Sequence, residues 1–184
     1  EWDGNIWNWI DKGYPVKKYA TVKARDLWEC IIESAWASAE PGVVFLERAN
    51  KESNSWYFNP LNGTNPCGEQ PLPDHGVCLL GHINLSRFAH GPIGKAKVDW
   101  DGIARTVRAA VRFLDDVIDY TPYHLKKNEE NQKSERRIGM GTLGLGEMLI
   151  RLGKRYGRDS QWFVDELYRF IALEAYKASI DIAE

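Results

Sequence analysis

Cysteine is scarce in this chain, with 3 among 184 residues, and methionine scarcer, with 2. Three thiols are too few for the disulfide framework of a small secreted domain, so each needs its own explanation in a reducing compartment. No apolar run approaches the roughly 20 residues that span a bilayer, and residues 1–11 are not a charged-then-apolar leader. A cytoplasmic protein with no membrane partner is expected. Charge of one sign is also lacking: 24 Lys and Arg stand against 26 Asp and Glu, for a net charge of −2. The basic pairs Lys17-Lys18, Lys126-Lys127 and Arg136-Arg137 lie far apart and form no stripe for a phosphate backbone, which excludes nucleic acid as the expected partner. There is no internal repeat, no low-complexity tract and no sharp change of composition.

What is present is enough apolar material, 43% of residues, for a sizeable core. Residues 1–184 therefore read as one domain, or one piece of a larger one. Glu1 is no natural start, and the helical run 168–184 stops without the Gly, Asn or Pro that usually closes a helix; both features favour the piece.

Residues 25–40 carry Leu27, Ile31, Ile32, Ala35, Trp36 and Ala39 at helical spacing, ended by Pro41-Gly42. Cys30 within them has the context of a packing residue. Val43-Val44-Phe45-Leu46 reads as a short buried strand. From 50 to 76, Asn, Pro and Gly recur around Trp56-Tyr57-Phe58, which predicts a long structured loop, and a loop of that length in a compact domain is usually functional. Short strand pieces are expected at 77–80 and 83–85 around Gly81, then a Gly/Pro-punctuated connection over 88–97. Asp99 or Asp101 caps a helix to about Tyr120 with Ile103, Val107, Val111, Leu114 and Ile118 on one face. Residues 126–133 are polar and should face solvent. Helices follow over 142–152 and 160–184, divided by a turn at 153–158. The pattern is α/β with a helix-rich second half.

Chemistry concentrates at Asn65-Pro66-Cys67-Gly68-Glu69. In an extended chain alternate side chains share a side at roughly 7 Å spacing, so an amide, a thiol and a carboxylate would present one face. Pro66 stiffens the approach and Gly68 lets the backbone turn or be approached closely. A thiol can be nucleophile, metal ligand or radical carrier, a carboxylate can take a proton, and an amide can hold a hydroxyl. The plain alternative is a small buried hydrophobe, a turn residue and a solvated charge. Cys78 lies in the apolar stretch Val77-Cys78-Leu79-Leu80, where it reads as core, although a hairpin could return it to Cys67 as a second thiol. A competing reading takes Cys67, His75, Cys78 and His82 as four ligands of a zinc-stabilised structural or binding module, against which stands the lack of a close Cys-x-x-Cys knuckle. Gly139-Met140-Gly141-Thr142-Leu143-Gly144 fits the dinucleotide pattern G-x-G-x-x-G, but charged Ser134-Glu135-Arg136-Arg137 precedes it in place of a buried strand. Close helix packing through glycines is the expectation there.

The segment Thr64-Asn65-Pro66-Cys67-Gly68-Glu69-Gln70-Pro71-Leu72-Pro73 resembles the active-site loop of the large, catalytic subunit of ribonucleotide reductases, in the form usual for the adenosylcobalamin-dependent class. Segments 39–46, 78–86, 111–115 and 136–141 resemble others of that family in the same order. The resemblance implies a central fragment of the catalytic barrel domain, a ten-stranded α/β barrel with the cysteine on a loop through its centre. It implies that Cys67 becomes a thiyl radical that takes the 3′ hydrogen of the ribose, that Glu69 takes the 3′-hydroxyl proton, that Asn65 holds the sugar hydroxyls, and that Cys78 is one of the reducing pair. It further implies a ribonucleotide substrate and a vitamin-B12-dependent ribonucleoside-diphosphate reductase, although the residues do not separate diphosphate from triphosphate substrates, together with a nucleotide effector, a thioredoxin-like reductant, the remainder of the reductase chain, and adenosylcobalamin as radical generator. The partner of Cys78, the phosphate-binding segments, the redox tail and most cobalamin-binding elements have no match here, so the chain alone is expected to be inactive. The family often has Asn-Leu-Gly-Ser where this chain has Leu79-Leu80-Gly81-His82.

Overall fold

A computed structural model describes residues 6–77 and 79–184, and the chain divides into two compact units, Glu1–Val44 and Phe45–Glu184. In the first unit, α1 (Ile6–Asp11) ends in a turn where the Trp9 and Tyr14 rings stack at 4.3 Å. Helix α2 (Ala24–Ser38) is the one its apolar spacing predicts, closed by Ala39 in the left-handed conformation, whose N–H reaches the Ala35 carbonyl. None of its residues is buried. Cys30, expected to pack, is exposed, because a unit this small closes too little surface to bury a helical stripe on its own.

The second unit holds α3 (Leu46–Glu52), β1 (Gly63–Thr64), β2 (Pro71–Leu72), β3 (Leu80–Asn84), β4 (Ala89–His90), β5 (Lys97–Val98), α4 (Trp100–Tyr120), α5 (Lys126–Glu135), β6 (Gly139–Leu143), α6 (Leu145–Arg151) and α7 (Gln161–Ala183). The strand expected at residues 43–46 is absent: Val43, Val44 and Phe45 are exposed and Leu46 opens α3. A four-residue apolar run has no period of its own, and the Glu, Arg, Ala and Lys that follow it are good helix formers.

Helix α4 forms because Asp99 accepts the Gly102 N–H at 2.8 Å at its start and because its apolar residues recur every three or four positions. Ile103, Val107, Val111, Leu114 and Ile118 are all buried. Helix α7 repeats that spacing with Phe163, Leu167, Ile171, Glu174 and Ala178, so the two stripes meet along their length. Leu85, Met148 and Leu149 complete the core. Each such side chain contributes roughly 1.5–3 kcal/mol by leaving water.

Glu174 stands where this period calls for an apolar residue, and it is satisfied by Lys177 Nζ at 2.9 Å and by Arg108 of α4 at 2.8 Å. The Lys177 ammonium and the Arg108 guanidinium hold its carboxyl below the ordinary value near 4.5. A carboxylate with a lowered folded pKa adds stability that is present above its unfolded value and is lost as pH falls through the folded one. Glu174→Gln is therefore expected to lower the melting temperature at neutral pH. The difference from wild type should close as the pH falls below 4.5 and through the lowered value of this carboxyl; thermal melts of both proteins across the acid range check this, and a gap that persists in acid contradicts it.

β3 and β6 pair in parallel, Leu80 opposite Gly139 through Asn84 opposite Leu143. Parallel neighbours need a crossover, which α4 and α5 supply, giving a βαβ unit. Alternation decides the faces. Gly81 faces α4, where a Cβ would sit 3.2 Å from Leu114, and buried Ile83 lies on the same side. Leu80, His82 and Asn84 point the other way.

The glycine run, expected to pack helices, is strand β6 instead. A Cβ on Gly139 would strike Leu80 and approach the Gln70 amide oxygen to 3.0 Å, and one on Gly141 would lie 2.8 Å from the His82 ring. The glycines serve strand against strand, and α6 begins only after Gly144, at φ +74°, three residues later than expected. Arg136 closes α5 in the left-handed conformation and binds Asp115 of α4 through Nε and Nη2 at 2.8 and 3.0 Å, reaching Asp119 as well. Residues 126–133 are helical, and one departs from the expected solvent face: Gln132 is 1% exposed and donates to the Arg137 carbonyl at 2.7 Å.

The class is thus mixed α and β with a helix-rich second half. Among the described residues the strands form three two-stranded sheets and no closed barrel, and no helix is long and apolar enough to cross a membrane.

Candidate functional site

The Cys67 segment is the loop of the β1–β2 hairpin, whose strands pair Gly63 with Leu72 and Thr64 with Pro71. Its base is gripped by Asn50 of α3, whose side chain donates to the Leu61 carbonyl at 2.8 Å and accepts the Leu61 N–H at 2.7 Å. One amide thereby stands in for a neighbouring strand, a role that nothing in the helical pattern of residues 46–52 signals. A second support is a polar network: Arg137 binds Glu135 and reaches Ser55 Oγ at 2.8 Å, while Asn59 donates to Asn131 at 2.9 Å and to Glu135 at 3.2 Å. Ser55 is 7% exposed, so the network is costly to disrupt.

The loop itself is a turn and not an extended segment. The Gly68 N–H bonds the Asn65 carbonyl at 3.0 Å, across an Asn-Pro-Cys-Gly sequence whose Pro in second place and Gly in fourth suit a tight β-turn. Gly68 has φ +78° with open space where a Cβ would be, so conformation and not crowding requires glycine there. The Asn65 side-chain oxygen accepts the Gln70 N–H at 3.0 Å, and the Asn65 N–H bonds the Gln70 carbonyl at 3.2 Å. Asn65 therefore closes the neck of the loop, and Cys67 and Glu69 ride on its exposed tip. Period-two alternation does not govern these three residues, because the turn bonds replace the extended backbone.

Gln70, which the sequence reading passed over, is 9% exposed and lies against Gly139 of β6. It seats the tip on the sheet face opposite α4. The tip can bring a thiol and a carboxylate to a substrate lying on that face, with the backbone held from both sides.

Cys78 lies outside the described residues. His75 is exposed at φ +58°, and its carbonyl accepts from Asn128 at 2.9 Å. His82 belongs to β3. Among the described residues no group of three His, Cys, Asp or Glu side chains could hold a metal ion, so Cys67, His75 and His82 do not assemble as zinc ligands. The turn carries Cys67 on one hairpin while His82 is fixed in the parallel sheet.

The family described as "Ribonucleotide reductase, barrel domain" matches residues 8–184. A vitamin B12-dependent ribonucleoside-diphosphate reductase of Thermoplasma acidophilum is 38% identical over 164 residues, 89% of this chain and 21% of the relative. The protein of the same description from Mycobacterium tuberculosis is 37% identical over 169 residues, 91% of this chain and 24% of the relative. A ribonucleoside-diphosphate reductase subunit alpha of Chlamydia pneumoniae is 28% identical over 174 residues, 92% of this chain and 16% of the relative. The chain thus spans about a quarter or less of the length of these curated relatives. With its match extending over nearly every residue described above, the chain belongs to the ribonucleotide reductase barrel-domain family.

Proposed function

We propose that this chain is the active-site portion of a ribonucleotide reductase that converts ribonucleoside diphosphates to 2′-deoxyribonucleotides by a thiyl-radical mechanism. The observation that carries the reading is the hairpin tip: a thiol and a carboxylate two residues apart, braced at the neck by Asn65 and pressed onto a parallel sheet through Gln70. In the full protein the βαβ unit of β3, α4 and β6 is one segment of a ten-stranded barrel whose other strands enclose the tip, shielding a radical from solvent.

Cys67, as a thiyl radical, takes the 3′ hydrogen of the ribose: an S–H bond forms, the C3′–H bond breaks and the unpaired electron passes to C3′. Glu69 accepts the 3′-hydroxyl proton, and Asn65 orients the sugar hydroxyls while it fixes the loop. The 2′-hydroxyl then takes a proton and leaves as water, with Cys78 and a second cysteine outside this chain supplying two electrons and two protons as they form a disulfide, and the Cys67 S–H returns its hydrogen to C3′, which restores the thiyl radical. A thioredoxin-like dithiol restores that pair, a nucleotide effector sets substrate choice, and the enzyme works in the cytoplasm.

Adenosylcobalamin dependence, named in relatives from Thermoplasma and Mycobacterium, is proposed for the whole protein. A cobalamin brings its own corrin nitrogens, so the lack of a nitrogen ligand at Pro66, Gly68 and Glu69 does not exclude it; the exposed Cys67 thiol would be open to the radical such a cofactor supplies, and most of the elements that would hold it lie outside this chain.

The test is the full-length protein supplied with adenosylcobalamin, a dithiol and each ribonucleoside diphosphate. Formation of 2′-deoxyribonucleotide is expected, and none from the 184-residue chain alone. Intact ribonucleotide recovered in every assay of a folded full-length protein overturns the reading.

A further inference from the structure

The sheet face that receives the hairpin tip has a bare floor. Gly139 and Gly141 of β6 both turn their missing side chains toward it, and two neighbours fill the space: the Gln70 amide over Gly139 and the His82 imidazole over Gly141. A Cβ on Gly141 would lie 2.8 Å from both Cδ2 and Nε2 of His82, so the ring rests directly on the glycine backbone. His82 is nonetheless exposed, and its strand neighbours on the same face, Leu80 and Asn84, carry no charge. Since Gly139 and Gly141 are two residues apart on one strand, the imidazole stands roughly 7 Å from the Gln70 amide. Gln70 directly follows Glu69. The displacement runs toward the carboxyl ends of β3 and β6, the end of a parallel sheet at which ligands gather.

We infer that His82 is a substrate-binding residue that hydrogen-bonds the bound ribonucleotide from the floor of the site, one strand step beyond the Cys67–Glu69 tip. The inference rests on the reading given under Proposed function. Three features point the same way. A nucleotide whose ribose meets Cys67 and Glu69 extends over a distance that reaches the next pair of inward residues. The imidazole has both a donor and an acceptor to offer, whereas the side-chain oxygen of Asn84 on the same face is taken by the Ser86 N–H and hydroxyl. Its seat on glycine fixes the ring at a set height without burying it, as a contact residue requires and a core residue does not.

The experiment uses the full-length enzyme with His82→Ser, His82→Gln and Gly141→Ala, reading steady-state kinetics and equilibrium binding of a ribonucleoside diphosphate. His82→Ser is expected to raise KM and Kd roughly tenfold, the loss of about one hydrogen bond, with kcat within about twofold because no reacting atom is touched. His82→Gln, which keeps a donor and an acceptor, should recover most of the affinity. Gly141→Ala should weaken binding in the same direction, since its methyl displaces the ring while leaving the imidazole in the protein. An effect shared by purine and pyrimidine substrates places the contact on sugar or phosphate, and one confined to some bases places it on the base; either supports the inference. Unchanged KM and Kd in a folded His82→Ser enzyme overturn it and leave the reductase reading intact. A wild-type enzyme that binds no ribonucleotide overturns both.

Discussion

Cys67→Ser in the full-length protein is expected to reduce deoxynucleotide formation to background and to abolish exchange of the 3′ hydrogen, with the melting temperature unchanged. The loss is total because a hydroxyl does not carry the radical that a thiol does, and no neighbouring side chain on the tip can replace it. The fold is indifferent because Cys67 is exposed and packs nothing. Its turn is set by Pro66, by Gly68 and by the Asn65 bonds to Gln70. Cys78→Ser should behave differently, since the proposed role of that thiol begins only after the 3′ hydrogen has moved: exchange survives, and product stops at a single or abortive turnover. Measuring isotope exchange at C3′ together with product separates the two variants. Exchange that survives in Cys67→Ser and disappears in Cys78→Ser would reverse the assignment of radical carrier and reductant.

Leu167→Ala has the largest expected effect on stability. Leu167 is 0% exposed at the centre of the α7 stripe, within the core that also holds Ile103, Val107 and Leu85. Truncating a leucine in such a setting costs about 3–5 kcal/mol, the transfer of three carbons plus the void they leave. Leu173, six positions along the same helix, is 50% exposed, and Leu173→Ala should change stability by less than about 1 kcal/mol. Denaturant midpoints of the two variants, measured side by side, test whether the α4–α7 seam is the core. Equal losses would place the packed face of α7 elsewhere.

Helix α4 was legible in the sequence because three independent signals agree on it: a capping Asp99, five apolar residues at helical spacing, and length. The βαβ unit was not legible, for a physical reason. Strand β6 is Gly-Met-Gly-Thr-Leu, and a strand whose inward residues are glycines has no apolar alternation to read; its pattern is the imprint of Gln70 and His82, which lie 69 and 59 residues earlier (139 − 70 and 141 − 82). Residues 43–46 failed the other way, apolar without any partner strand that the local sequence could specify. At the tip the residue types were readable and the geometry was not: Asn-Pro-Cys-Gly is turn composition, and that signal outweighs alternation over so short a span. Gln132 shows a further limit, since a glutamine that satisfies a backbone carbonyl from inside a polar helix looks identical in sequence to one that points at water.

The register of β3 against β6 sets a schedule for the nascent chain. Leu80 pairs with Gly139, 59 residues later (139 − 80). At synthesis rates of about 5–20 residues per second, β3 leaves the ribosome several seconds before its partner exists. During that interval Leu-Gly-His-Ile-Asn is an uncharged edge with its hydrogen-bonding groups open, the condition under which strands pair with the wrong neighbour. The amphipathic α4 emerges within it and can cover the Gly81–Ile83 side as soon as its Leu114 turn forms. On the opposite side, where His82 stands, the β1–β2 hairpin is made earlier, but Gln70 has no Gly139 to rest against until β6 emerges, so that face is the last to be set.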